Sequence, residues 1–321
     1  MKLVMMHYQS QPQLSRSCKY IKDYLCLFSL ISRQRLAMTG CDQLVEIPLE
    51  DWTELKNLFY CDWPKHEFAY YLLENYVKWK DHQEALDVNC YSLNGNWREN
   101  ETFVLKDGFE IYFYTKAEHD CSVLIRLLLQ VQWGSFNEVS MDYLERHHPA
   151  IERIISDRCL KVASNNLAHY YFLSKEQALA LHSCTIPEGF ALNKLQLKDL
   201  DNIYYHWPLK NYISYEAGHG LLKRLIMLNE NVGLFNEKGV LVSWCLSDQT
   251  GAHSDLQTLP AYCRNGYGRM VVMELAKRLA QTGSDSKAYV LHDNKKSIQL
   301  FESVGFRKIQ NLHWIVVNAK R

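Results

Sequence analysis

The stretch whose reading decides the fold is CRNGYGR, residues 263–269. Two glycines stand one residue apart between two arginines. Directly after them runs a segment of helical period, YGRMVVMELAKRLAQ (267–281), with Tyr267, Val271, Leu275 and Leu279 on one stripe. Glycine lets the backbone turn tightly and lets a ligand approach it closely. The first N–H groups of a helix have no intrahelical acceptor, so they point at whatever lies before the helix. A phosphate or pyrophosphate suits such a place. Two nucleotide loops are excluded. A dinucleotide loop needs a third glycine where Val271 stands, and a Walker loop needs Gly-Lys-Ser/Thr where Gly268 is followed by Arg269 and Met270.

Working outward, the loop is preceded by AHSDLQTL (252–259), read as a strand, and by the hairpin NVGLF (231–235) and GVLVSWCLS (239–247) around Asn236-Glu237-Lys238-Gly239. It is followed by AYVL (288–291), a continuous apolar run expected of a strand buried on both faces. The helix KSIQLFESVG (296–305) ends at Gly305, and LHWIVV (312–317) is the last strand. A similar order precedes it. QLVEIPL (43–49) reads as a strand, and DWTELKNLF (51–59) and HEFAYYLLENYVKW (66–79) as helices. DVNCYSL (87–93), TFVLK (102–106), FEIYFYT (109–115) and NLAHYYFLS (166–174) read as strands, and VLIRLLLQVQW (123–133) and DYLERHHPAIERIISD (142–157) as helices. A Pro- and Gly-containing break at HSCTIPEGF (182–190) separates the two series. ALNKLQL (191–197) and KDLDNIYYHW (198–207) then restart the pattern. Trp63-Pro64 and Trp207-Pro208 occupy similar places, which suggests an internal repeat. The class expected is α/β with α+β character, a twisted mixed sheet covered by helices. The boundaries expected are an extension at 1–37, a first domain at 38–181 and a second at 190–321.

Composition narrows the function. Lys+Arg and Asp+Glu both number 36, which argues against a nucleic-acid partner. Ten cysteines include no CxxC pair, so a zinc ribbon and a dithiol redox site lack support; free thiols and a reducing compartment are expected. YLCLFSLI (24–31) and VLIRLLLQV (123–131) fall far short of the ~18–20 residues of a membrane span. Residues 1–37 carry Lys2, Arg16, Lys19, Lys22, Arg33 and Arg35 against Asp23, with five serines. That composition fits a mitochondrial transit segment or an unstructured extension, so a mitochondrial and a cytoplasmic location both stay open. His147-His148 beside Glu145 and Glu152 lacks metal-ligand spacing and reads as a solvated helix face, and no metal is expected.

A second segment gives the glycine loop its meaning. Asn294-Lys-Lys-Ser297-Ile-Gln-Leu-Phe301-Glu-Ser-Val-Gly305-Phe306 follows the buried strand. Together the loop and this helix resemble the acyl-CoA site of the GNAT acyltransferase superfamily. VSWCLSDQTG (242–251) and TLPAYCRNG (258–266) resemble the animal glycine N-acyltransferases in particular. The resemblance implies two tandem GNAT-like domains, the second binding acyl-CoA as co-substrate. It implies transfer of an acyl group to the amine of glycine or another small acceptor. A CoA-binding protein with little catalysis and a protein-amine acetyltransferase are the alternatives. Arg264, Asn265, Gly266, Tyr267, Gly268 and Arg269 would meet the CoA pyrophosphate. Leu256 and Thr258 would offer backbone groups to the pantetheine arm, and Asn294 and Ser297 would lie beside it.

The sequence departs from that pattern at the chemistry. An amine must lose its proton before attacking a thioester, so a base is useful. Ala252 follows Thr250-Gly251 where the family carries Glu, and Phe301 replaces the family's Tyr. His253 and His292 are the candidate bases and Ser254 a candidate for ordering a water, with His253 and Asp255 expected to share the strand face opposite Ala252.

Overall fold

The computed structural model describes residues 41–82, 86–182 and 184–318; the basic N-terminal stretch lies outside the described residues. Residues 42–318 form one compact unit built on a single twelve-stranded sheet.

The first half contributes β1 (Leu44–Glu46), α1 (Trp52–Leu58), α2 (Glu67–His82), β2 (Val88–Leu93), the short α3 (Trp97–Asn100), β3 (Thr102–Asp107), β4 (Glu110–Thr115), α4 (Ser122–Leu129), β5 (Glu138–Leu144), α5 (His148–Arg158), β6 (Lys161–Leu173) and α6 (Lys175–Leu179). The second contributes β7 (Ala191–Asn193), α7 (Leu200–His206), α8 (Tyr215–Leu228), β8 (Asn231–Phe235), β9 (Leu241–Ser247), β10 (Ala252–Thr258), α9 (Tyr267–Gln281), β11 (Ser286–Leu291), α10 (Lys295–Val304) and β12 (Arg307–Asn318). Both halves run strand, two helices, a three-stranded meander, helix, strand, helix, strand. This is the repeat that the Trp-Pro pairs suggest.

The strand order β1-β2-β3-β4-β5-β12-β6-β11-β10-β9-β8-β7 shows how the halves join. The last strand of each half pairs with the other half. β6 lies antiparallel to β11, from Ser286 opposite Leu173 to Leu291 opposite Ala168. β12 inserts between β5 and β6, with Trp314 opposite Asp142 on one side and Asn166 on the other. All ladders are antiparallel except β4·β5 and β10·β11. Those two parallel pairs are very short: one rung, Glu110–Ser140, and two rungs, Ala252–Lys287 and His253–Ala288. Beyond the last rung the strands part, and each half therefore has a gap in its sheet.

Helices cover both faces, as in any layered α/β unit. One core lies under α1, α2, α7 and α8 around Trp52, Trp79, Trp207 and Trp244. A second, under α9 and α10, gathers Val271, Leu275, Leu279, Phe301 and Phe306. A third, under α4 and α5, gathers Leu124, Leu128, Ile151 and Ile154.

Three local expectations change. Residues 142–144 belong to strand β5, not to the helix read over 142–157, which starts at His148. Their spacing is helical, but their ladder with Leu312–Trp314 comes from the far end of the chain and leaves no local trace. The helix read over 123–133 stops at Leu129, and a 3-10 turn follows at Trp133–Ser135. His147 is fully buried, not solvated; its ring lies edge-on to Tyr114 at 5.3 Å, and burial depresses its pKa to about 3. His148 stacks on His313 at 4.3 Å.

Candidate functional site

The gap between β10 and β11 opens where β10 bends. Ser247, Leu246, Trp244 and Ser243 pair in turn with His253, Ser254, Gln257 and Thr258, so a bulge falls between Ser254 and Gln257. Asp255 sits in it with φ 49°, a left-handed conformation that Asp tolerates better than most residues. The simple alternation expected of residues 252–258 is broken there. Asp255 turns beside Ser254 and Trp207, and it lines the same cavity as its neighbours His253 and Ser254.

The gap leads to the glycine loop. Gly266 caps α9 with φ 77°, and Arg264 precedes it with φ 65°. Met270 is the residue that closes the first helical turn, onto the Gly266 carbonyl at 3.1 Å, so the amides of Tyr267, Gly268 and Arg269 face outward from the helix end. Asn265 shapes the loop by donating to the Tyr262 and Cys263 carbonyls. Gly268 lies close under the gap: a Cβ there would come 3.3 Å from Leu300 Cδ1 and 3.4 Å from Thr258 Oγ1. Tyr267 packs on Phe190 at 5.1 Å, and Arg269 is exposed. Thr258 pairs its hydroxyl with Ser243 at 2.8 Å, while Leu256 packs against the α9–α10 core. On the far arm Asn294 caps α10, its Oδ1 accepting from the Ser297 amide at 3.2 Å.

The gap also opens onto a cavity of about 130 Å³. His253, Ser254 and Asp255 line it from β10, Tyr289 from β11, Trp207 from just after α7 and Leu221 from α8. The first half supplies Glu110 and Tyr112 from β4 and Ser140 and Asp142 from β5. Four carboxyls therefore surround it: Glu110, Asp142, Asp248 and Asp255. Two are committed to the fold. Asp248 Oδ1 accepts from Thr250 N, Thr250 Oγ1 and Ala252 N at 2.8, 2.7 and 3.0 Å, holding the turn into β10. Glu110 accepts from Tyr112 at 3.1 Å and from Gln249. The other two are held less firmly, Asp255 by Ser254 and Trp207 beside it. Asp142 Oδ1 is buried without a partner, and Ser254 Oγ is in the same state. Burial raises Asp142 to about 8 and Asp255 to about 7, the neighbouring Asp248 carboxylate adding to both.

The candidate bases behave differently from one another. The His253 ring is wedged edge-on against Phe306 and Phe301, at 5.4 and 6.1 Å, with Nε2 unpartnered. Burial holds its pKa at about 3, so it is a weak proton acceptor. His292 is exposed, with Nδ1 3.3 Å from the Leu167 carbonyl, and does not line the cavity. Ser254 does line it. The helical spacing around Asp142 conceals it in the sequence, and the bulge conceals the place of Asp255. A left-handed Asp in a strand has no sequence signature.

The first half has no counterpart to the glycine loop. Residues 116–121 before α4 read KAEHDC, with no glycine and two acids. Beyond the Glu110–Ser140 rung the buried rings of Phe113 and Tyr143 stack at 5.6 Å.

Residues 231–315 match the family model described as FR47-like protein. A Drosophila protein solved by a structural genomics consortium superposes with a TM-score of 0.78 at 20% identity, over 88% of this chain and 100% of that one. A GCN5-related N-acetyltransferase from Sphaerobacter thermophilus gives 0.55 at 11% identity, over 89% and 98%. A tandem GNAT protein from the clavulanic acid biosynthesis pathway gives 0.54 at 10% identity, over 88% and 99%. The chain has the tandem GNAT fold.

Proposed function

We propose that the chain is an acyl-CoA-dependent N-acyltransferase whose working site is in the second half. The single observation carrying this reading is the juxtaposition of a sheet gap, a glycine-led helix end and a carboxyl-lined cavity within one stretch of β10 to α9. The amides of Tyr267, Gly268 and Arg269 would hold the pyrophosphate, with Arg264 and Arg269 adding charge. The free edge of β10 at Leu256 and Thr258 would pair with the pantetheine arm. The thioester would then lie at the mouth of the cavity, facing Ser254 and Asp255.

Transfer is direct in this reading. Asp255 takes one proton from the acceptor ammonium, the neutral nitrogen bonds to the thioester carbon, the C–S bond breaks to release CoA thiolate, and the second nitrogen proton passes to that thiolate or to water. A thiolate with a pKa near ~8.5 leaves with little protonation, so the buried Phe301 in place of a tyrosine does not stop the reaction. Ala252, fully buried, leaves the base role to its neighbour three residues on. A small amine suits the size of the cavity.

The test is equilibrium titration with acetyl-CoA, followed by thiol release on addition of a broad amine panel. Binding with acceptor-dependent release supports the reading. Binding with no release from any acceptor leaves only a CoA-binding role.

A further inference from the structure

The cavity beside Ser254 says more about the acceptor than its size does. Its lining holds Glu110, Asp142, Asp248 and Asp255 and no lysine or arginine. The cations nearest to these acids are already engaged. Arg224 is paired with Asp107 at 2.8 Å, and the buried Lys287 donates to the Thr250 carbonyl at 2.6 Å. Among the described residues no three acid, imidazole or thiol groups converge as metal ligands do. The carboxyls are spread around a space the size of a small molecule. Four aromatic residues, Tyr112, Trp207, Tyr289 and Trp314, stand in its walls beside four leucines, and aromatic faces attract cations. On the side supplied by β5, Asp142 Oδ1 is buried with no hydrogen-bond partner, a group left waiting for a donor.

We infer that the acceptor is a small diamine, or a comparable amine with a second positive charge and no carboxylate, lying between Asp255 and Asp142. This rests on the acyltransferase reading above. The reacting nitrogen must give up its proton to attack, so it ends neutral beside Asp255. Asp142 then faces the other end of the molecule, where a second ammonium donates to its free oxygen and balances the carboxylate that forms there. A free amino acid would instead bring a carboxylate among four carboxyls, with no cation lining the cavity to receive it. The unpaired Asp142 is largely protonated when the cavity holds no cation, and an arriving ammonium would ionise it.

The experiment has two arms on the full chain. In the first, thiol release from acetyl-CoA is compared for 1,3-diaminopropane, putrescine, propylamine and glycine. The diamines are expected to exceed glycine in kcat/KM by at least ~100-fold and propylamine by about tenfold, each tenfold being ~1.4 kcal/mol of transition-state binding. Glycine or another amino acid turning over best overturns this inference and leaves the acyltransferase reading standing. In the second arm, calorimetry measures putrescine binding to the CoA-loaded chain, which decides the matter even if no acceptor is acylated. Binding weakened about tenfold or more by the isosteric Asp142→Asn supports the inference. No putrescine binding to the wild type, or equal binding to a folded Asp142→Asn, overturns it.

Discussion

His253 and Ala288 form the last rung between β10 and β11, and everything proposed for this chain happens just beyond that rung. On one side of the rung the sheet is closed. On the other, β10 bulges at Asp255, the gap opens, and the glycine loop and the cavity meet at its two ends.

Gly268 and Gly266 separate binding from folding. Gly268 is a helical residue in a tight place, where an added methyl would come 3.3 Å from Leu300 Cδ1 and 3.4 Å from Thr258 Oγ1. Gly268→Val is expected to weaken acetyl-CoA binding at least about tenfold while moving the thermal midpoint little. Gly266 has open space but φ 77°. Gly266→Ala is expected to lower stability by ~1 kcal/mol, the cost of a left-handed non-glycine residue. Calorimetric titration and thermal melts on both variants check this; equal CoA affinity in a folded Gly268→Val would count against the site.

His253 is expected to be a packing residue. Its Nε2 is buried without a partner between Phe301 and Phe306. Its Nδ1 has only the Cys245 thiol, at 3.8 Å, and replacing so poorly satisfied a ring by an apolar side chain of similar size is close to neutral or stabilising. His253→Phe should therefore keep the wild-type pH–rate profile and change unfolding free energy by no more than about 1 kcal/mol in the unfavourable direction. A lost limb in the profile would restore His253 as the base.

Buried acids should make the fold lose stability as pH rises. Burial sets Asp142 at about 8, with Asp255 and Glu67 at about 7, all above ordinary carboxyls. A raised acid contributes stability that is fully present below its unfolded pKa near ~3.9 and is lost as pH climbs through the folded value. The midpoint of urea unfolding should fall from pH 5 to pH 9. Asp142→Asn should flatten part of that fall, being more stable than wild type by about 1–3 kcal/mol at high pH and equal to it near ~pH 4. A variant less stable at every pH would mean that Asp142 has an unseen cationic partner.

The exchange of last strands makes the halves interdependent. β11 has its outer neighbour in β6, and β12 lies between β5 and β6. Residues 190–321 expressed alone are expected to aggregate or remain unfolded, because a central sheet edge and the Phe301–Phe306 face of the core lose their cover. Co-expression with residues 42–181 should give a soluble 1:1 complex, seen by size-exclusion chromatography. A monomeric, cooperatively melting 190–321 fragment would show that the exchange is dispensable.

Much of this is legible in the residues, and the losses have physical reasons. The hairpin 231–247, the helix 267–281 and the Asn294–Phe306 segment carry local signals of period, turn and cap, and the folded chain keeps all three. The end of β5 reads as helix because Asp142-Tyr143-Leu144 owe their strand state to residues 312–314, some 170 positions away. The strand exchange is likewise a pairing of distant segments and writes no pattern into either. The cavity draws its carboxyls from β4, β5, the turn before β10 and the bulge within it, so no spacing announces them. Asp255 in particular sits in the bulge with a positive φ, which no local pattern announces.

The most direct measurement is acceptor-dependent thiol release from acetyl-CoA as a function of pH, for wild type and Asp255→Asn. With Asp255 held at about 7 and acting as an unprotonated base, the wild-type rate should rise with pH through about 7 and then level off. Asp255→Asn should bind acetyl-CoA normally, lose about 10²- to 10⁴-fold in rate, and lose that rise. Acetyl-CoA binding without amine-dependent thiol release, or an unchanged profile in Asp255→Asn, would contradict the acyltransferase site as described.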